Sequence, residues 1–315
     1  MGGLKIGRIF GIPIKLDWSW FIIFGLITWS LACGLSKYST GLLPWLIAGL
    51  VSLIFFASVL FHELAHSVVA LKQKISVNSI TLLFLGGVAS INKESSQPKG
   101  EMVLAAAGPI SSLFLAGFFF FLSGQAVQNH WQPLFSAPLL WLFQINLLLA
   151  LFNILPAYPM DGGRIFRAII WAVKKDWLKA TKIACRLTQW LFYGFLGFAL
   201  YLLITQGFAA LVNVLWFALI GWFISSMAKA GWKQALLQYV FANIKVKERM
   251  VPVPDYELRS KNFCNPDDLI IDILPKFSEF KVRVLWVKDG DKFVGALYSS
   301  AINRFFEEKI KEIRI

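Results

Sequence analysis

Charge and cysteine are both scarce in this sequence, and each scarcity removes a class of protein. Only 16% of the 315 residues are Asp, Glu, Lys or Arg, against roughly a quarter in soluble domains. With 57% hydrophobic and 16% aromatic residues, an ordinary cytosolic enzyme, a disordered chain, a collagen-like repeat and a coiled coil are excluded. The three cysteines, Cys33, Cys185 and Cys264, are widely spaced and in no CxxC pair. Neither a disulfide framework nor a cysteine metal site is expected from them. Acidic residues number 18 against 31 basic ones, a net charge of +13. No basic stripe with interleaved aromatics stands on a soluble stretch, so nucleic acid is not an expected partner. The N-terminal stretch carries Pro13, Lys15 and Asp17 where a signal peptide needs an apolar core. Ile6 stands where N-myristoylation requires Ser or Thr.

Long apolar runs are what the sequence does hold. Six stretches, Trp18–Leu35, Leu42–Leu71, Met102–Gly124, Pro138–Met160, Leu187–Ile204 and Phe208–Met227, have the length and composition of bilayer-crossing helices. Lysine and arginine gather before the first, between the second and third, after the fourth and after the sixth. The alternate loops hold only Lys37. By the positive-inside rule both termini are cytoplasmic, in a prokaryotic plasma membrane or its equivalent. Composition changes near residue 228. We therefore expect a six-helix, all-α polytopic membrane domain over 1–228 and a small α+β cytoplasmic domain over 229–315. In the tail, Val282–Val287 and Phe293–Leu297 flank Asp289-Gly290 as a β-hairpin would. Asn265-Pro-Asp-Asp before Leu269–Leu274 reads as a capped helix.

The second run contains His62-Glu63-Leu64-Ala65-His66. Ionisable groups within a spanning helix are costly unless they face a cavity, a partner or a metal. Residues at i and i+4 share a helical face, so His62 and His66 can present two imidazoles to one ion. This is HExxH, whose histidines bind zinc and whose Glu acts as general base. Counting back from Lys72, His66 lies about 9 Å and His62 about 15 Å below the cytoplasmic end of the helix. A catalytic zinc needs a third protein ligand and an open position. Asp161, the only carboxylate between Glu101 and Asp176, stands at a similar depth after Pro156 and Pro159 and before Gly162-Gly163. Taken singly, each group has a plainer reading: a His/Glu cluster joining helices, or a solvated Pro-Gly turn. Taken together they favour a metal site.

These residues carry a resemblance. His62-Glu63-x-x-His66, Asn153-x-x-Pro156-x-x-Pro159-x-Asp161-Gly162-Gly163-Arg164 and Ala107-Gly108-Pro109 follow in the order and spacing of the site-2 protease family of intramembrane zinc metalloproteases. The resemblance spans roughly 1–228. It implies one zinc per chain held by His62, His66 and Asp161, with Glu63 activating a water and Asn153 helping to hold substrate. The implied substrate is a single-span transmembrane protein within the lipid bilayer, cut in regulated intramembrane proteolysis. The tail is not the PDZ domain that some members insert.

Val77–Asn92, with Ile80, Leu82, Phe84, Val88 and Ile91 around Gly86-Gly87, reads as a membrane-associated β-hairpin. Its edge strand either pairs with an unwound substrate, making Gly86 and Gly87 substrate-binding positions, or plugs the cytoplasmic face. Gly108-Pro109 reads as packing or a kink, and His130 as a surface residue. Asn146 is expected to make an interhelical hydrogen bond, and Glu101 to support a helix N-terminus. The tail resembles a single cystathionine-β-synthase (CBS) module over about Val246–Phe305. Tyr298 and Ala301 stand where such modules carry nucleotide-binding Thr or Ser and Asp, so nucleotide binding is not expected. Homodimerisation through the tail and a truncated second module both fit. The alternative function is a CBS-gated transporter or channel with a metal transit site, but a transit site needs no Glu63.

Overall fold

The computed structural model describes residues 3–83, 86–91, 95–252, 262–279, 281–290 and 292–312. Phe84, Asn92 and parts of the tail fall outside them. Two short strands, β1 (Leu4–Ile9) and β2 (Ile12–Leu16), open the chain and pair antiparallel. Asp17 then caps α1 (Trp18–Leu35), its Oδ1 accepting from the Ser19 N–H at 3.0 Å. A long helix α2 (Leu43–Lys72) leads into β3 (Val77–Leu83) and β4 (Gly86–Ile91). Helices α3 (Pro98–Gln128), α4 (Pro133–Ile154), α5 (Asp161–Lys174), α6 (Trp177–Gln206) and α7 (Leu211–Phe241) complete the helical part. Six of these helices, all but α5, are long and apolar enough to cross a membrane. Their outward faces are crowded with bare apolar side chains such as Trp29, Phe114 and Trp216. Hydrocarbon chains, not water, suit such surfaces.

Four differences from the sequence reading matter for the site. The expected hairpin belongs to a four-stranded sheet ordered β1-β2-β3-β4, in which β2 and β3 run parallel. The all-α description of the membrane domain is corrected accordingly. Ile12, Ile14 and Ile80 bury one face of this sheet against Leu60 and Leu64 of α2, and β4 stands at one edge of it. The fourth spanning helix stops at Ile154, not Met160, because Pro156 and Pro159 cannot continue it. Asp161 therefore opens a separate amphipathic helix, α5, and does not end a span. A carboxylate in a first helical turn faces the positive end of the helix dipole. Finally, α7 runs unbroken to Phe241, so a boundary at 228 falls inside a helix.

The tail comprises β5 (Val251–Pro252), β6 (Phe263–Cys264), α8 (Ile270–Glu279), β7 (Val284–Asp289), β8 (Lys292–Tyr298) and α9 (Ser299–Glu312). Its sheet is ordered β5-β8-β7-β6, with β7 and β8 forming the hairpin expected around Gly290. Ile270, Ile273, Leu285, Val287 and Leu297 build the core, into which Phe241 of α7 and Leu178 of α6 insert. Burial pushes the Cys264 thiol up to about 11, which keeps it protonated at neutral pH.

Candidate metal centre

HExxH lies on α2 ten residues before its last, Lys72, at the expected depth. His62 and His66 are only 4% and 5% exposed, and Asp161 is 7% exposed. The Nε2 atoms of the two imidazoles are 3.3 Å apart. Each lies within reach of Asp161 Oδ2, at 3.3 Å from His62 and 3.2 Å from His66. These three atoms form a near-equilateral triangle. Donors about 2.0–2.1 Å from a tetrahedral zinc stand ~3.3–3.4 Å apart, so the donor set and its spacing both fit that ion.

The outer nitrogens fix the inner ones. His66 Nδ1 lies 2.7 Å from the Leu104 carbonyl oxygen, which can only accept, so the proton sits on Nδ1. The Nε2 lone pair is left for a metal. His62 Nδ1 meets Ser112 Oγ at 2.9 Å and can be held in the same tautomer. Both partners are on α3. Between them Gly108 presents bare backbone, and a Cβ there would run into the Nε2 atoms of His62 and His66. Gly108 thus makes room for an ion, where the sequence suggested packing or a kink.

Glu63, half-buried, projects toward β4. The Ala89 N–H donates to its carboxylate, and a Cβ on Gly87 would collide with its Cγ. Gly86 adopts φ +129°, which favours glycine. Strand β4 can therefore lie directly on the general-base candidate. Asn153 occupies the last turn of α4. Among the described residues its side chain bonds only the Leu149 carbonyl of its own helix, at 2.9 Å. Asn146 does likewise with Leu142 at 2.8 Å, so the expected interhelical bond is not made. His130 is exposed, as expected.

Sequence reasoning misses the charges behind Asp161. Glu101 does stand in the first turn of α3, as expected, but it is also fully buried, and its Oε1 accepts from Arg164 Nε at 2.9 Å and Arg167 Nη2 at 2.7 Å. Arg167, 1% exposed, also donates to the Tyr158 hydroxyl at 3.2 Å and lies over the Tyr158 ring. In the sequence both arginines read as loop charges that set topology. The available signal is Glu101 itself, a carboxylate beside an apolar run.

A two-histidine, one-carboxylate cluster inside a bundle of spanning helices defines a membrane-embedded metalloprotein. Residues 50–132 and 124–195 match peptidase family M50. Over 297 residues the chain is 32% identical to zinc metalloprotease MJ0392 of Methanocaldococcus jannaschii, covering 93% of this chain and 77% of that one. It is 35% identical over 270 residues to Rip3 of Mycobacterium tuberculosis, covering 85% of this chain and 67% of the other. A Synechocystis relative is 36% identical over 256 residues, 79% of this chain, and the chain spans 65% of that relative's length. A solved site-2 protease from Methanocaldococcus jannaschii is 31% identical, with a TM-score of 0.46, covering 73% of this chain and 95% of that one. The chain belongs to peptidase family M50, and it is a multi-pass integral membrane protein.

Proposed function

We propose that the protein is an intramembrane zinc metalloprotease that hydrolyses peptide bonds within or near the transmembrane segment of single-span proteins. The observation that carries this reading is the triangle of His62, His66 and Asp161 beside the carboxylate of Glu63. Relatives named zinc metalloproteases add weight. A bound zinc supplies Lewis-acid polarisation of the scissile carbonyl and lowers the pKa of an attacking water. His62, His66 and Asp161 hold it, one per chain. Glu63 takes the proton from the water and returns it to the leaving amine, so no covalent nucleophile is needed. The Ala89 N–H keeps the Glu63 carboxylate aimed during both transfers.

A helical substrate hides its carbonyls and must unwind before it is cut. Strand β4 supplies a template, because among the described residues its far edge carries no partner strand. N–H groups of alternate residues point the same way along a strand. Since Ala89 donates away from β3, Gly87 and Ile91 offer their N–H groups to that open edge too. Substrate pairing there is β-augmentation, with Gly86 and Gly87 giving close access and Asn153 contributing at the end of α4. Ile91→Pro removes one outward donor and is expected to cut cleavage about tenfold with zinc content intact. Unchanged cleavage would rule the pairing out.

The sorting of lysines and arginines supports cytoplasmic termini. The hairpin and helix order of the tail support a CBS-like module, which can dimerise the protein without holding a nucleotide.

The purified protein, incubated with candidate single-span substrates, tests the function. Cleavage with one zinc per chain is expected, and loss of both in Asp161→Ala. Full zinc content in that variant would remove Asp161 from the site. Metal flux across vesicles without any cleavage would establish the transporter instead.

A further inference from the structure

One face of α3 serves every proposed metal ligand. Leu104 and Ser112 orient the two histidines through their Nδ1 atoms. Gly108 clears the space between them. Counting from Glu101, these residues fall at i, i+3, i+7 and i+11, a spacing that keeps them on one side of a helix. Three of the four positions therefore act on His62 and His66. The fourth, Glu101, faces α5, the helix that starts with the third ligand.

We propose that Glu101 is a positioning residue for Asp161, acting through Arg164 and Arg167; this rests on the zinc-protease reading above. The geometry is specific. A single oxygen, Oε1, receives one nitrogen from each arginine, at 2.9 and 2.7 Å. The arginines lie three and six residues after Asp161, so one carboxylate on α3 grips successive turns of α5 and sets its axial register. Glu101 is fully buried and Arg167 is 1% exposed, which demands that their charges stay paired. Arg164 is also within electrostatic reach of Asp161. Two carboxylates and two guanidiniums thus form a neutral set, of which only Asp161 faces the metal position. Glu101 keeps Arg164 occupied at Nε and holds it back from Asp161, whose oxygen would otherwise be drawn away from the histidines. The turn between α4 and α5 reinforces the placement. A Cβ on Gly162 would strike the Ile154 carbonyl, and one on Gly163 the Tyr158 backbone, so the start of α5 is seated on both sides.

The test is zinc affinity of the purified full-length protein, measured by chelator competition alongside thermal unfolding of the metal-free form. Glu101→Gln keeps the shape and removes the charge. Its zinc affinity is expected to fall about 10–100-fold, the range found when groups that orient metal ligands are lost. Glu101→Asp, which keeps the charge, is expected to recover part of that loss. A variant that loses thermal stability yet binds zinc as tightly as the parent would reduce Glu101 to a structural ion pair and overturn the proposal. Should Glu101→Gln fail to fold, Arg164→Gln carries the test, since its side chain is 21% exposed and leaves Arg167 paired. A smaller loss of zinc affinity is expected there, and unchanged affinity overturns the proposal equally. Asp161→Ala separates the two readings. If it loses zinc while Glu101→Gln does not, only the positioning role fails. If neither the parent nor any variant binds zinc, the protease reading fails with it.

Discussion

Glu63→Gln is expected to lower substrate cleavage by about 10²–10⁴-fold, the usual contribution of a positioned acid–base group, with zinc still present at one per chain. The introduced amide keeps the side chain's length, and its oxygen can still accept from the Ala89 N–H. What it lacks is a site for a proton. The histidines and Asp161 are untouched, so the metal content separates a lost base from a lost ion. Initial rates on a single-span substrate, paired with zinc stoichiometry, make the comparison. Cleavage within tenfold of the parent would show that some other group moves the proton. The Glu63 carboxylate would then be a support for β4.

Gly108→Ala is expected to lower zinc affinity and cleavage far more than it lowers stability. The added methyl meets both histidine Nε2 atoms, so zinc affinity is expected to fall about 100-fold or more, with cleavage falling alongside. That exceeds the usual effect of an orienting partner because the methyl intrudes on the ligand atoms themselves. Alanine is the better helix former by about 0.8–1 kcal/mol, but displacing two buried imidazoles costs about 1–3 kcal/mol, so the metal-free protein is expected to unfold at the parent's temperature or slightly below it. Chelator competition and thermal unfolding of the metal-free protein supply the two readouts. Parental zinc affinity would mean that α3 stands further from α2 than the structure has it.

The parts of the site that are legible in the sequence are those carried by scarcity. His62, Glu63 and His66 stand out because nothing else ionisable interrupts their helix before Lys72, and Asp161 because no other carboxylate lies near it in the chain. The hairpins around Gly86-Gly87 and Asp289-Gly290 are legible because strand and turn signals lie within one short stretch. Pairings between distant residues are not. Arg164 and Arg167 look like solvated loop charges until α5 turns them onto Glu101. The run that forms α5 begins with two glycines after Asp161 and carries basic residues among its apolar ones, so it lacks the look of a helix when scanned for spans. β1 and β2 are interrupted by Gly7, Gly11 and Pro13, and β3, the other partner of β2, lies beyond two spanning helices. Gly108 stands out beside Pro109, yet its purpose is visible only once two imidazoles face it.

The dependence of all three ligands on α3 also bears on how the protein comes into being. His62 and His66 enter the membrane early, with α2, and Asp161 arrives only after α3 and α4 have been laid down. Until α3 packs between them, the histidines lack their orienting partners and Asp161 lacks its clamp. A chain still being inserted thus carries no competent hydrolytic centre, although both histidines already lie in the bilayer. On the proposed reading, hydrolysis toward neighbours, or toward the chain itself, would begin only once α3 has docked.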